Sequence, residues 1–170
     1  MLNTHFSIKK EASLVTNEFV RYLIEHEHTL LKIEFINDVA YRYGNSIENS
    51  IYPVDNVRNI LSNKLTCIMG RDEPKYFFDI LHISLNYTFN WKAIFSETSE
   101  KMLFNEIDLS QRILEFPVAM LLQVEWLNQS PNLEQIEKFQ EIISNEILLG
   151  SQNSLCVSGL AIDSTLVNYK

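Results

Sequence analysis

The sequence predicts an α+β fold, a mostly helical single domain with a small antiparallel sheet. The length of 170 residues fits one domain. Hydrophobic residues make up 46% of the chain, enough to bury a core without a disulfide or metal. Residues 81–92 alternate apolar and polar side chains over twelve consecutive positions, as a half-buried strand does. Apolar residues elsewhere recur mainly at helical spacing.

The first forty-odd residues are predicted to be mostly helical. Thr16 is a candidate cap for an apolar stripe over residues 19–24. From Thr29 onward, two interpretations compete. Alternation of apolar and charged residues over 31–35 is typical of a strand, whereas a helical stripe over 30–43 ends at Gly44, where a helix cap is expected. The helix is favoured here.

The middle of the chain is expected to hold a short helix and the sheet. The helix spans residues 55–64, with Asp55 as its cap. The compact apolar run 65–69 and the alternating stretch 81–92 are predicted to form the antiparallel sheet, with the helices packed on its aromatic side. A competing signal is Pro74, which suits the first turn of a helix that would carry Phe77 and Leu81.

From Ser96 onward the spacing predicts helices. Ser110 is the expected cap of one, which Pro117 should end or kink. The last helix should begin at Ser130 and stop at Gly150. The predicted domain is therefore residues 1–150. Residues 151–170 are expected to form an extended segment or a small hairpin, turning at residues 158–159, packed on the same domain.

Targeting signals and paired cysteines are missing from the sequence. The longest apolar run has five residues, 118–122, far short of a membrane span. The N-terminal residues lack the pattern of a secretory signal. Cys67 and Cys156 are isolated and expected to be reduced. We therefore expect a cytoplasmic protein that does not associate with membranes.

No cofactor or metal is expected. The glycines are too dispersed for a phosphate-binding or dinucleotide-binding loop: Gly44, Gly70, Gly150 and Gly159. His26 and His28 are two residues apart, which on a helix would not bring both rings to one ion. The best interpretation of this pair is a solvated, charged helix end.

The sequence offers two alternative functions. The spacing from Ala40 to Gly44 is typical of a helix-turn-helix, so residues 30–64 could form a DNA-binding regulator. Few cations lie nearby, and a chain with net charge −8 is poorly suited to neutralising phosphates, so nucleic acid is not the expected partner. A hydrolase of unknown substrate would use His82 as a base beside Ser84.

Charge distribution is the most informative signal. Residues 93–150 contain ten anions and three cations, so this third of the chain carries −7 of the total −8. In the last helix Glu134, Glu137 and Glu141 recur at spacings of three and four, which places them on one face. Such a face either keeps the protein soluble or meets a basic partner.

We therefore expect a non-catalytic acidic binding protein that neutralises a basic protein by covering its active cleft. Immunity proteins and antitoxins directed at nuclease toxins are of this kind, as are phage inhibitors that mimic DNA. The expected partner-binding residues are Glu134, Glu137 and Glu141, with Glu106 and Asp108 as further candidates. Their carboxylates would accept charge-assisted hydrogen bonds from lysine or arginine of the partner.

Overall fold

A computed structural model describes residues 7–10, 13–37, 41–47, 54–124 and 132–164. It has the predicted fold class, mostly helical α+β with a small antiparallel sheet. The elements in chain order are β1 (Ser7–Ile8), β2 (Leu14–Val15), β3 (Phe19–His26), β4 (Thr29–Ile36), α1 (Val57–Gly70), α2 (Pro74–Asn86), β5 (Tyr87–Thr88), α3 (Trp91–Lys101), α4 (Glu106–Leu114), a 3₁₀ helix (Val118–Gln123), α5 (Leu133–Leu149) and β6 (Leu160–Ala161). The chain divides into two compact units, residues 1–40 and 41–170.

The first unit is a sheet built on the β3–β4 hairpin. These strands pair antiparallel over their whole length, and β1 and β2 pair with the opposite edge of β3. Glu27 and His28 form the turn with left-handed φ angles of 46° and 69°. A two-residue turn of this hand matches the twist of the strands. The prediction of helices here is wrong. The apolar–charged alternation over residues 31–35 belongs to a strand, and it prevails over the helical stripe. The turn was hard to recognise in the sequence because it lacks the asparagine or glycine usual in a two-residue hairpin.

The antiparallel sheet is also not where the sequence placed it. Residues 65–69 lie inside α1, where Leu65 and Ile68 are buried. A continuous apolar run suits the inner face of a helix as well as a buried strand. Asn56, one residue after the predicted Asp55, caps α1 by accepting a 2.8 Å hydrogen bond from the backbone N–H of Asn59.

The predicted strand over residues 81–92 is mostly helical. Pro74 begins α2, as the competing interpretation had it, and this helix continues to Asn86. Helical spacing determines which side chains are covered: Phe77, Ile80, Leu81 and Ser84 are buried. Only residues 87–88 form a strand before Asn90 caps α3. Burial of one helical face thus outweighed the alternation.

Capping asparagines begin the later helices as well. Asn105 caps α4, whereas Ser110, the predicted cap, lies in its middle. Asn132 caps α5, and the predicted cap at position 130 lies outside the described residues. Gly150 ends α5 in the left-handed conformation, as predicted. The 3₁₀ helix begins directly after Pro117, which agrees with a helix ending before that residue.

The core of the second unit lies between its helices. Its largest fully buried side chains are Trp91, Phe77, Leu61, Leu65, Ile68, Ile80, Ile94, Leu109, Ile113, Leu121, Ile143 and Ile147. Residues 151–164 run on from α5, and β6 pairs in parallel with β5. The hairpin at residues 158–159 is therefore not formed, since residues 155–157 are not a strand. None of the helices in the described ranges has the length and apolarity to cross a membrane.

Candidate functional site

Helices α4 and α5 form an antiparallel pair held by buried polar contacts. The hydroxyls of Ser110 and Ser144 each donate a 2.9 Å hydrogen bond to the backbone carbonyl of the other residue. Nε2 of Gln140 donates to the carbonyls of Ile113 and Phe116, each at 2.7 Å. The contacts run from residue 110 to residue 116 along the chain direction of α4 and from residue 144 back to residue 140 on α5, so the two helices are antiparallel. The contacts also give Gln140 two backbone acceptors just at and after the end of α4, where carbonyls lack the full set of helical partners.

The outward face of α5 carries the predicted carboxylates. Glu134, Glu137 and Glu141 are all exposed, opposite the buried side chains of this helix. With 3.6 residues per turn, spacings of three and four keep them within about 60° of one another. Lys138 lies among them, and its Nζ is 2.9 Å from Oε1 of Glu134. The structure therefore brings these three predicted residues together on one surface.

Exposed apolar side chains adjoin these carboxylates. Ile107 and Leu114 on α4 are 64% and 49% exposed, and Leu148 on α5 is 50% exposed. Seven residues separate Ile107 from Leu114, so both lie on one stripe of α4. Because residue 110 lies opposite residue 144, Ile107 is level with residue 147, next to Leu148, and Leu114 is level with residue 140, next to Glu141. We call this surface the α4–α5 face: Ile107, Leu114, Glu134, Glu137, Glu141 and Leu148.

The two further candidates are arranged differently. Glu106 and Asp108 are exposed in the first turn of α4. Glu106 lies level with the end of α5, at one end of the α4–α5 face. Asp108 is one residue beyond Ile107 and points about 100° away from the apolar stripe. Carboxylates in the first turn also interact favourably with the helix dipole, so both residues contribute to α4 itself.

Two of the nine anions that the structure describes in residues 93–150 are buried. Glu146 is buried, accepting hydrogen bonds from Nε1 of Trp91 and the backbone N–H of Ser154, each at 3.0 Å. Glu97 is 1% exposed and forms a salt bridge with Arg58. The outward-facing negative charge of the described residues is therefore smaller than the sequence suggests, and three of the seven exposed carboxylates lie on α5.

Arg58 is the centre of a second polar cluster. Its NH1 contacts both carboxylate oxygens of Asp163, at 2.9 and 2.8 Å, and its guanidinium lies 5.7 Å from the ring centre of Tyr43. Hydrogen bonding, first to Glu97 and then to Asp163, raises the pKa of Arg58 above its ordinary value. Among the described residues, Oε2 of Glu97 is buried without a hydrogen-bond partner. This cluster joins α1, α3 and the C-terminal segment.

Neighbouring groups extend this network. Nζ of Lys101 donates 2.6 Å hydrogen bonds to side-chain oxygens of three α1 residues: Asn59, Ser62 and Asn63. A hydrogen bond with Tyr43 raises the pKa of Tyr41 to about 12. Because the charged groups are directed at one another, we interpret the network as structural.

The proposed hydrolytic pair is separated by the helix that carries it. Ser84 is fully buried, and its Oγ donates a 2.8 Å hydrogen bond to the carbonyl of Ile80. His82 is exposed, with its ring stacked 5.8 Å from that of Phe78. Two positions on a helix are about 200° apart, so His82 cannot activate this hydroxyl. His82 instead borders a shallow cleft of about 230 Å³ beside Lys64 and Asp79, which pair at 2.6 Å.

The structure also shows where the histidine pair and the possible helix-turn-helix of the sequence lie. His26 and His28 lie at the β3–β4 turn, and in the described part of the chain no group of three or more His, Cys, Asp or Glu could hold a metal ion. The first helix of the helix-turn-helix in residues 30–64 is not formed: residues 29–36 are a strand and residues 41–47 are not helical. Ala40 lies outside the described residues.

Comparison of the chain with protein-family models, curated proteins and solved structures gave no match. The surface is therefore interpreted from its own residues. Sequence reasoning missed Ile107, Leu114 and Leu148. The sequence did contain a signal for the two residues on α4. Ile107 and Leu114 form a second apolar stripe, distinct from the stripe of Leu109 and Ile113 that enters the core.

Proposed function

We propose that the chain is a non-catalytic acidic binding protein that neutralises a basic protein partner by covering its active cleft. The partner class is a nuclease toxin, which makes the chain an inhibitor of the immunity-protein or antitoxin kind. The supporting observation is that Glu134, Glu137 and Glu141 share one exposed face of α5. A nuclease must present a cationic cleft to bind nucleic acid, and carboxylates on one rigid helix suit such a cleft.

Each part of the α4–α5 face has a role in this proposal. Glu137 and Glu141 accept charge-assisted hydrogen bonds from lysine or arginine of the partner. Within the described residues neither forms a salt bridge, so a new cation displaces no existing one. Ile107, Leu114 and Leu148 supply apolar area that loses water on contact. Complementary charge accelerates encounter, and the apolar contacts slow dissociation.

The test begins with the genes beside the one for this chain: we expect one of them to encode a basic nuclease domain, and finding none would count against this partner class. Purified wild-type chain should inhibit cleavage of nucleic acid in stoichiometric amounts. The Glu137→Lys/Glu141→Lys variant should associate about tenfold more slowly at low salt, with a weaker dependence on salt, because steering depends on these charges. Association is measured by stopped-flow fluorescence at several salt concentrations.

The control variant is Glu18→Lys/Glu115→Lys, which makes the same change in net charge. Both residues are exposed, and Glu115 points away from the apolar stripe of α4. Its association rate should stay within about twofold of wild type. An equal loss of rate in both variants would show that net charge alone matters. Uninhibited nuclease would contradict the proposed function itself.

A further inference from the structure

The outer edge of β4 has no partner strand among the described residues. β4 pairs with β3 on one side only. Four of its eight side chains are apolar and more than half exposed: Leu30, Leu31, Phe35 and Ile36. A free strand edge presents a row of backbone N–H and C=O groups that another strand can pair with. The edge and its apolar side chains are thus suited to strand addition.

The hydrogen-bond pattern determines which backbone groups face outward. The backbone N–H of Asn37 donates to the carbonyl of Glu18 at 2.8 Å. Hydrogen-bonded pairs alternate along an antiparallel ladder, so the odd-numbered residues of β4 bond to β3. The backbone groups of Leu30, Lys32, Glu34 and Ile36 therefore point to the free edge.

We propose that β4 pairs antiparallel with β4 of a second copy of this chain, about a two-fold axis at Ile33. In this register Lys32 of each copy lies opposite Glu34 of the other. Ile33 then lies opposite itself, and Leu31 lies opposite Phe35. Opposite charges and apolar side chains that face each other across strands both stabilise pairing. The contact is isologous, with the same residues contributed by both copies.

Charge selects this register over its neighbours. A shift by one residue would bring outward backbone groups opposite inward ones and break the ladder. A shift by two in either direction would place Lys32 opposite Lys32, or Glu34 opposite Glu34, and like charges opposite each other are unfavourable. A hydrogen bond from Arg21, together with Lys32, lowers the pKa of Glu34, so this carboxylate is ionised at neutral pH. The strand is therefore complementary to itself in one register.

Sedimentation velocity over a range of concentrations tests the proposal. Wild type should form a dimer. Lys32→Glu and Glu34→Lys each place like charges opposite each other in both cross-strand pairs, and should raise the concentration needed for dimerisation at least about tenfold. An equimolar mixture of the two variants restores every opposite-charge pair, so dimers should reappear. Lys92→Glu, the same change of charge on α3, should dimerise as wild type does.

Crosslinking tests the register even if the charge variants fold poorly. Residue 33 forms a non-hydrogen-bonded pair with itself, with Cα atoms about 4.5 Å apart, which a disulfide can span. On a Cys67→Ser background, Ile33→Cys should yield a covalent dimer under mild oxidation. Leu31→Cys should not, because its two thiols would be about 13 Å apart along the strands. A monomer at every concentration, dimers unaffected by the charge variants, or crosslinking at residue 31 in preference to residue 33 would overturn the proposal.

Discussion

Nε1 of the Trp91 indole donates a 3.0 Å hydrogen bond to Oε2 of Glu146, and both side chains are buried. Oε1 of the same carboxylate accepts from the backbone N–H of Ser154. The Glu146 side chain of α5 therefore links that helix by hydrogen bonds to both α3 and the C-terminal segment. An acidic residue counted toward a surface charge in the sequence thus has an internal role.

We expect Glu146→Ala to lower the free energy of unfolding by about 2–4 kcal/mol, because it leaves the buried indole N–H, and the Ser154 amide, without their acceptor. Urea titration followed by tryptophan fluorescence measures the loss. Glu141→Ala, on the exposed face of the same helix, should change stability by less than about 0.5 kcal/mol. Equal stability of the two variants would show that the buried contacts contribute nothing.

The Arg58–Glu97 pair should behave as a buried ion pair. Removing the cation alone, by Arg58→Met, is expected to cost about 3–5 kcal/mol, since it leaves the buried Glu97 carboxylate without its partner charge. The double variant Arg58→Met/Glu97→Met removes both charges and should be more stable than the single variant. Thermal and urea unfolding of the four proteins completes a double-mutant cycle. Additive losses would exclude coupling between the two side chains.

Tyr41 should ionise late in an alkaline titration. Its pKa, about 12, is raised first by the hydrogen bond with Tyr43, so folding favours the neutral phenol. The resulting stabilisation is complete below the ordinary tyrosine pKa of about 10 and is lost as the pH rises from there through 12. Near-ultraviolet absorbance follows the ionisation. Tyr41→Phe should remove one late transition, whereas Tyr43→Phe should shift it to lower pH; an unchanged titration in Tyr43→Phe would refute the assigned cause.

Gly159 should not tolerate a side chain. A Cβ atom there would lie 2.2 Å from the carbonyl oxygen of Asn86 and 2.2 Å from Sγ of Cys156. Gly159→Ala is therefore expected to displace the C-terminal segment and expose the Ile162 amide, which donates to the carbonyl of Thr88, to rapid hydrogen exchange. Gly70→Ala is the matched control, because a Cβ there meets nothing within 4 Å. Equal protection in both variants would contradict this prediction.

The helical features that depend on local sequence were predictable. The exposed face of α5 followed from the spacing of its glutamates, and its end followed from Gly150, because both depend only on helical geometry. The alternation over residues 31–35 indicated β4, but the hairpin itself was hidden, because its turn uses Glu27 and His28 in place of the asparagine and glycine usual at left-handed angles. Burial of Glu97 and Glu146 was also hidden, since their partners Arg58 and Trp91 are distant in sequence.

The β5–β6 pairing also has a consequence for biosynthesis. Thr88 and Leu160 are 72 residues apart in sequence yet lie side by side, so this contact closes a long loop. On the ribosome, the helices between them emerge well before β6 does. Until β6 is translated, the edge of Tyr87–Thr88 has no partner from this strand, and α2 and α3 depend on their packing against α1.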